Sequence, residues 1–513
     1  MKNILGVDLP ERIEGVGPLR PYDGKRFGGT PFEAGLKAPV KETRKLLDSL
    51  EEAIRLSGLK DGMTISFHHH FRNGDYIVNM VVDKLAEMGF RDLAIAASSL
   101  SDCHAPLIGH IRNGVIRRIE TSGMRGELAN AVSNGLMDTP AVFRSHGGRA
   151  WAIANGSLKI DVAFLGVPSS DPAGNANGFS REGDNSTACG SLGYAMVDAH
   201  YAQKTILLTN NVVSYPNTPC QIPQTDVDYV VRVDEIGNPK GIASGATRFT
   251  TNPKELMIAE KTAAVMEASG YLKDGFSFQT GTGGASLAVT RFLRDKMLEE
   301  GITANFALGG ITGAIVKLHE EGLIKKLLDV QDFDLDAVRS AQENPFHTVV
   351  SAHHYAGPGL EGSAVDSVDM VVLSALEIDT DFNVNVLTGS DGVIRGAIGG
   401  HPDTAAGSSL TIITAPLIRG RIPTILDRVN TVVTPGVSVD VLVTEAGVAV
   451  NPARRDLIGR LAAAGIETTP IEVLKERAEA VVGKPEPVEY GDKVVGVVTY
   501  RDGTVIDLIR NVK

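Results

Sequence analysis

The chain is written twice. Leu59-Lys60-Asp61-Gly62 recurs as Leu272-Lys273-Asp274-Gly275, an offset of 213 residues. Asp161, followed by Asn175-x-Asn177, recurs as Asp369, followed by Asn383-x-Asn385, at an offset of 208. Val227-Asp228 opens an apolar run closing in Asn238-Pro239, and Val439-Asp440 opens one closing in Asn451-Pro452, at offsets of 212 and 213. Four ordered matches at a nearly constant spacing predict two like domains, with one cleft where they meet. A length of 513 residues agrees, being too great for a single hydrophobic core.

Each copy follows the same local pattern. Met63 to Phe67 reads as a strand, followed by the polar loop His68-His69-His70-Phe71-Arg72-Asn73-Gly74. A helix then carries Ile77, Val78, Val81, Val82 and Leu85 on one side. The second copy runs from strand Phe276–Thr280 through Gly281-Thr282-Gly283-Gly284 into a helix with Val289, Phe292, Leu293 and Met297. Further strands are predicted in pairs at 93–97 and 305–308, 162–167 and 370–373, 206–209 and 410–415, and 229–233 and 441–443. Strand, loop, helix, strand is the rhythm of an α/β fold with mostly parallel sheets. The expected division is an arm at 1–40, a first domain at 41–245 and a second at 246–513, with 237–253 as linker. A helix is expected over 41–56. The hairpin pattern at 494–509, turned by Asp502-Gly503, has no counterpart in the first copy and is read as a C-terminal extension.

Composition excludes several function classes. Hydrophobic residues make up 43% and charged residues 22%, an ordinary globular balance. No apolar run reaches the roughly 18 residues that span a bilayer, and the first fifteen residues lack the apolar stretch of a signal peptide, so no membrane contact and a cytoplasmic location are expected. A net charge of −12 argues against a nucleic-acid partner. It also requires a local positive site for any anionic substrate. Cys103, Cys189 and Cys220 have neither metal spacing nor the number for a disulfide scaffold.

The paired loops are the candidate site, because parallel sheets bind ligands at the carboxyl ends of their strands. Glycines at 281, 283 and 284 let backbone approach a ligand and offer N–H groups to an oxyanion, although a plain tight turn fits the same residues. Ser286 stands where a dinucleotide fingerprint would place its last glycine. Three consecutive histidines in extended chain point to alternate faces and make a poor metal site, so no metal is expected. With Arg72 and the neighbouring Asn73 and Gly74, they read instead as a polycarboxylate-binding loop acting through charge-assisted hydrogen bonds, or as surface decoration. His353-His354 are read as a second cleft loop. The Asn-x-Asn pairs are read as turn-formers.

The duplicated strand–loop–helix pattern resembles the coenzyme A transferase superfamily, with Asp61-Gly62-Met63-Thr64 and 443–449 similar to its signatures. Within it the chain is similar to citrate lyase α subunits from end to end, through Glu14 to Tyr22, Phe67 to Arg72, Ser145-His146-Gly147-Gly148-Arg149 and Gly399-Gly400-His401-Pro402-Asp403-Thr404-Ala405-Ala406-Gly407. The resemblance implies two CoA-transferase-like domains with the active site between them. It implies citrate as substrate, citrate lyase β (lyase) and γ (acyl carrier) subunits as partners in a hetero-oligomer, and no permanently bound cofactor. The thioester would be carried on a CoA-like arm of the carrier protein, with acetyl-CoA as a surrogate. Common CoA transferases place a nucleophilic glutamate after the second strand of the second half. Here that segment reads Ala307-Leu308-Gly309-Gly310-Ile311-Thr312-Gly313, without a carboxylate. The resemblance then implies direct attack by citrate through a mixed anhydride. Gly309 and Gly310 would be catalytic, and backbone at Gly281, Thr282, Gly283, Gly284, Gly399 and Gly400 would hold the oxyanion. Carrier docking on a basic pair is expected, at Arg117-Arg118, Lys325-Lys326, Arg419 with Arg421, or Arg454-Arg455. An ordinary acetate or succinate CoA transferase with a glutamyl thioester, and a non-catalytic scaffold, are the alternatives.

Overall fold

The computed structural model describes residues 1–23, 45–243, 250–281 and 283–513. Residues 45–513 form one compact unit and the arm another. In the arm, Arg12–Ile13 pairs antiparallel with Gly17–Pro18.

The duplication is a duplication of topology. Seven strands of the first half lie in the spatial order Ala141–Phe143, Ile116–Thr121, Leu93–Ala97, Thr64–Phe67, Val162–Gly166, Lys204–Thr209, Tyr229–Arg232. Seven of the second half repeat that order: His347–Val349, Ile324–Asp332, Ala304–Ile311, Ser277–Thr280, Met370–Ser374, Leu410–Thr414, Val441–Thr444. Every neighbouring pair within these two sets is parallel. Helices cover both faces, so central strands such as 93–97 and 162–166 are buried at every residue and read as continuous apolar runs.

The repeated sequence matches turn out to be strand caps. Asp161 and Asp369 each precede a strand and accept the backbone N–H that starts its neighbour, from Thr64 at 2.9 Å and from Ser277 at 2.8 Å. Asp228 and Asp440 do the same for Thr205 and Thr411, at 2.9 and 2.7 Å. Asp61 and Asp274 accept from Arg91 and Thr303. The first four satisfy half-buried donors at the sheet's amino end, and Asp61 and Asp274 satisfy exposed ones. The Asn-x-Asn pairs shape turns as expected. Asp171 and Asp379 hold the Asn175 and Asn383 backbone and side-chain amides, while Asn177 and Asn385 sit in short antiparallel ribbons.

Three expectations need correction. Leu46–Leu47 are a strand, paired parallel with Val230 and Val231, and the helix is Leu50–Ser57 behind its Ser49 cap; residues 41–44 lie outside those described. The apolar pattern of strands 116–121 and 324–332 is hidden because an exposed basic pair, Arg117-Arg118 and Lys325-Lys326, follows the buried first residue of each. Within 237–253, Pro239–Gly241 is a short 3-10 turn and Pro253 starts the helix 253–268. Residues 244–249 are outside those described. The C-terminal hairpin, Tyr490–Thr499 with Val505–Val512, is present and crosses to the other half, where it adds to the first sheet beside Ala141–Phe143. No helix among the described residues is long and apolar enough to cross a membrane.

Candidate active site

Carboxyl ends of both sheets open onto one cleft of about 840 Å³. The first half contributes His69, Arg72, Ser99, Ser101, Ser122, Arg125, His146 and Tyr194. The second contributes Gln279, Thr280, Gly281, Gly283, Gly284, Gly310, Gln331, Phe333, Tyr355 and the segments around Gly399-Gly400 and Arg419. Thr282 lies outside the described residues.

The histidine loop divides. His69 lines the cleft, its Nδ1 2.5 Å from Ser98 Oγ and its ring stacked on Tyr194. His68 and His70 point away from the cleft, their rings packed 4.0 Å apart and buried. Burial pushes the His68 pKa down to about 4 and that of His69 and His70 well below the ordinary value. The expected charge-assisted hydrogen bonds from this triplet therefore give way to neutral imidazoles, since no carboxylate near enough offsets the desolvation. Asn73 is exposed and accepts from the Cys103 N–H at 3.0 Å. Gly74 is buried outside the cleft wall, where a Cβ would lie 2.1 Å from the Asn238 carbonyl. His353 packs on Trp151 and Tyr201, and His354 is exposed; neither reaches the cleft, whereas Tyr355 of the same short helix does.

Positive charge comes from arginine. Arg72 adopts a left-handed backbone, φ 52°, which turns its side chain inward. Its guanidinium lies 4.9 Å from the Phe333 ring centroid and donates to the Ile242 carbonyl at 3.2 Å. Burial, then the charge of Arg125, brings its pKa down to about 10, so it remains a cation. Arg125 follows the third strand of the first half and is solvent-accessible within the cleft. The sequence reading missed it, and only its place four residues beyond Thr121, at a strand's carboxyl end, pointed there. Glu255, at the rim against Gly284, is the one carboxylate among the described lining residues.

His146 and the glycines complete the walls. Ser145 caps the helix His146–Ala154 and donates to Asp403 at 2.8 Å, which also accepts from the Gly147 N–H. His146 donates its backbone N–H to the Gly399 carbonyl, at φ +59°, and burial takes its imidazole pKa down to about 3. Gly400 lies beside the Tyr355 hydroxyl, 2.4 Å from where a Cβ would stand. Gly281 gives its N–H to the Val372 carbonyl, so that amide is not available to a ligand. Gly283 starts the helix Gly284–Glu300 with no side-chain cap, and Gly284 and Ala285 of its first turn line the cleft. Gly310 also lines it. Gly309, at φ +98°, sits one residue behind, against the Gln279 amide, where a bulge shifts the register with the next strand.

Of the four basic pairs, Arg419 lines the cleft and Arg421 is exposed beside it. Arg117-Arg118 and Lys325-Lys326 open their strands at the opposite end of the sheets. Lys326 is five residues, about 16 Å at ~3.3 Å per residue, from Gln331 at the cleft. Arg454 is engaged with Asp440 and Asp456 at the same far end.

The chain is similar to known proteins over nearly its whole length. The family model described as citrate lyase, alpha subunit, matches residues 43–512. The citrate lyase alpha chain of Klebsiella pneumoniae is 63% identical over 473 residues, 92% of each chain. That of Escherichia coli K12 is 60% identical over 503 residues, 98% of each. A crystal structure of the putative alpha subunit of citrate lyase from Streptococcus mutans, in complex with citrate, matches over 100% of both chains with TM-score 0.90 and 54% identity. The alpha subunit of an Acinetobacter baumannii malonate decarboxylase shares the fold at 14% identity and TM-score 0.62, over 86% of this chain and 93% of that one.

Proposed function

Because the chain belongs to the citrate lyase alpha subunit family, and so is the transferase component of a multi-subunit citrate lyase, we propose a division of labour in its cleft. Arg72 and Arg125 hold two of citrate's carboxylates, and neutral His69 and His146 orient the molecule by hydrogen bonds. The third carboxylate attacks the acetyl thioester of an acyl carrier subunit. The tetrahedral oxyanion forms beside the uncapped first turn at Gly284, where backbone N–H groups and the helix dipole favour negative charge.

Collapse breaks the C–S bond, releasing the carrier thiolate and leaving an acetyl–citryl anhydride. The thiolate then attacks the citryl carbonyl, acetate departs, and the carrier leaves as citryl thioester for a lyase subunit. No proton is gained or lost, so the protein's work is positioning and electrostatics. The thioester would sit on a CoA-like arm entering past Lys254, Arg395 and Arg419, cations of the cleft wall suited to its phosphates.

What supports this reading is that the segment where the resemblance implies a glutamyl nucleophile reads Gly309-Gly310, and that the nearest downstream acids face solvent. Glu320 and Glu321 are exposed and paired with Arg339 and Arg294. Glu255 keeps a second reading open, a glutamyl thioester formed at the rim. Borohydride or hydroxylamine trapping during turnover with acetyl-CoA decides between them. An unmodified protein supports direct attack, and a modified Glu255 overturns it. Transfer from acetyl-CoA to citrate, set against citramalate, acetate and succinate, tests the acceptor; equal rates with acetate would remove the tricarboxylate role.

A further inference from the structure

Behind the cleft wall, three buried side chains aim unpartnered atoms at one another. Asp329 and Asp332 lie at the carboxyl end of the strand 324–332, and His347 opens the strand beside it. The side chains of Asp329 and His347 are wholly inaccessible, and Asp332 is 0% exposed. Asp329 Oδ2, Asp332 Oδ1 and His347 Nε2 have no hydrogen-bond partner. One donor atom from each lies within 4.8 Å of the others, and His347 Nε2 is 3.4 Å from Asp329 Oδ2.

The opposite atom of each group is held. Asp329 Oδ1 accepts the Gln331 N–H at 2.8 Å, Asp332 Oδ2 accepts the Ser191 N–H at 2.8 Å, and His347 Nδ1 is 3.0 Å from Ser340 Oγ. This is the arrangement of metal ligands, in which the non-ligating atom is anchored so that the ligating one is aimed. Buried polar groups left unpaired are rare and destabilising, so three facing one another call for a shared partner.

We propose that Asp329, Asp332 and His347 form a binding site for a first-row divalent cation, Zn²⁺ or Mn²⁺. Two carboxylates and an imidazole are a donor set for such ions, whereas Mg²⁺ prefers several waters for which this packing leaves little room. The ion would act as a clamp. Ser191 belongs to the first half, and a Cβ at Gly190 would lie 1.6 Å from Asp332 Oδ2, so the two halves meet here. Gln331, between the two aspartates, donates to the His69 carbonyl at 3.2 Å, and Phe333 supports Arg72.

The test uses the full chain purified without chelator. About one Zn or Mn per chain by inductively coupled plasma mass spectrometry is expected. After stripping with dipicolinate, added Zn²⁺ or Mn²⁺ should raise Tm. Asp332→Asn and His347→Gln should each weaken rebinding by at least about tenfold, and His354→Ala, at an exposed histidine, should leave it unchanged. Co²⁺ should give visible absorption bands that His347→Gln abolishes. A chain that retains no metal and shows no Tm shift with either ion overturns the proposal. So does binding unaltered in both variants, and so does stabilisation by Asp332→Asn without metal, the mark of a proton-sharing acid pair. Should a variant fail to fold, metal content and the Co²⁺ spectrum of the unaltered chain still decide.

Discussion

Arg72 and Arg125 face a cleft whose one carboxylate among the described lining residues is Glu255. Removing either guanidinium deletes charge-assisted hydrogen bonds worth about 1.5–3 kcal/mol each. Arg72→Ala and Arg125→Ala are therefore expected to raise the citrate KM by about 10- to 100-fold, with the KM for acetyl-CoA changed far less. Steady-state kinetics with each substrate varied in turn checks this, and equal effects on both would take the arginine out of the citrate site. The histidines act differently. His146, with its pKa pushed down to about 3 by burial, binds no proton in the folded state where the unfolded chain, near 6.5, does. Its contribution to stability is thus present above pH 6.5 and lost as pH falls toward 3. Denaturant unfolding between pH 6.5 and 4.5 should show a slope up to about 1.4 kcal/mol per pH unit steeper than in His146→Gln; parallel curves would mean an imidazole that titrates normally. At this scale the sequence was half legible. Arg72 was visible because it follows a strand in a polar loop, but the neutrality of its histidine neighbours depends on burial supplied by Tyr194 from a distant helix. Arg125 is marked only by its place beyond a strand that the sequence itself hides, and His347 becomes a neighbour of Asp329 and Asp332 only through strand pairing.

The glycine pairs matter as elements, through the shapes they permit. Gly310 makes room for Phe333, whose ring carbon lies 1.8 Å from the position of a Cβ, and the same ring lies under Arg72. Gly310→Ala should displace that ring. A loss of about 1–3 kcal/mol in stability is expected, with a raised citrate KM, and Phe333→Leu should reproduce the KM effect. If Gly310→Ala lowers kcat while leaving KM alone, Gly310 contacts the reacting atoms instead. Its neighbour Gly309, at φ +98° against Gln279, is held to glycine by backbone strain as well as space. The elements themselves were legible wherever both faces are buried, because continuous apolar runs mark such strands. The third strand of each half was not, since the exposed pairs Arg117-Arg118 and Lys325-Lys326 break the apolar pattern near its amino end. Their identical burial pattern over the first six residues is further trace of the duplication.

For the whole molecule, the cleft forms where two copies of one topology meet, and the chain's last strands help hold that meeting. The C-terminal hairpin extends the first sheet at Ala141–Phe143, three residues before His146. It also reaches the second half: Asp507 accepts the Val432 N–H at 2.8 Å, and Arg501 lies 3.6 Å from Asp403, the residue that receives Ser145 and Gly147. The repeat arithmetic could not show this, because a segment without a counterpart gives no offset, and sequence order suggested membership of the second half. A hairpin bonded to both halves should matter to both stability and the site. Val495, Val498 and Ile509 are buried in it, at about 1.5–3 kcal/mol each, an upper bound. Ending the chain at residue 484 is therefore expected to cost at least about 3 kcal/mol in denaturant unfolding and to open the 134–145 segment to proteolysis. Arg501→Ala, which keeps the strands, should leave most of that stability intact yet raise the citrate KM, because it loosens the Asp403–Ser145 contact that sets the His146 helix. Should the truncated chain unfold like the intact one, the hairpin is an appendage; should Arg501→Ala change stability alone, it holds the sheet without positioning the site.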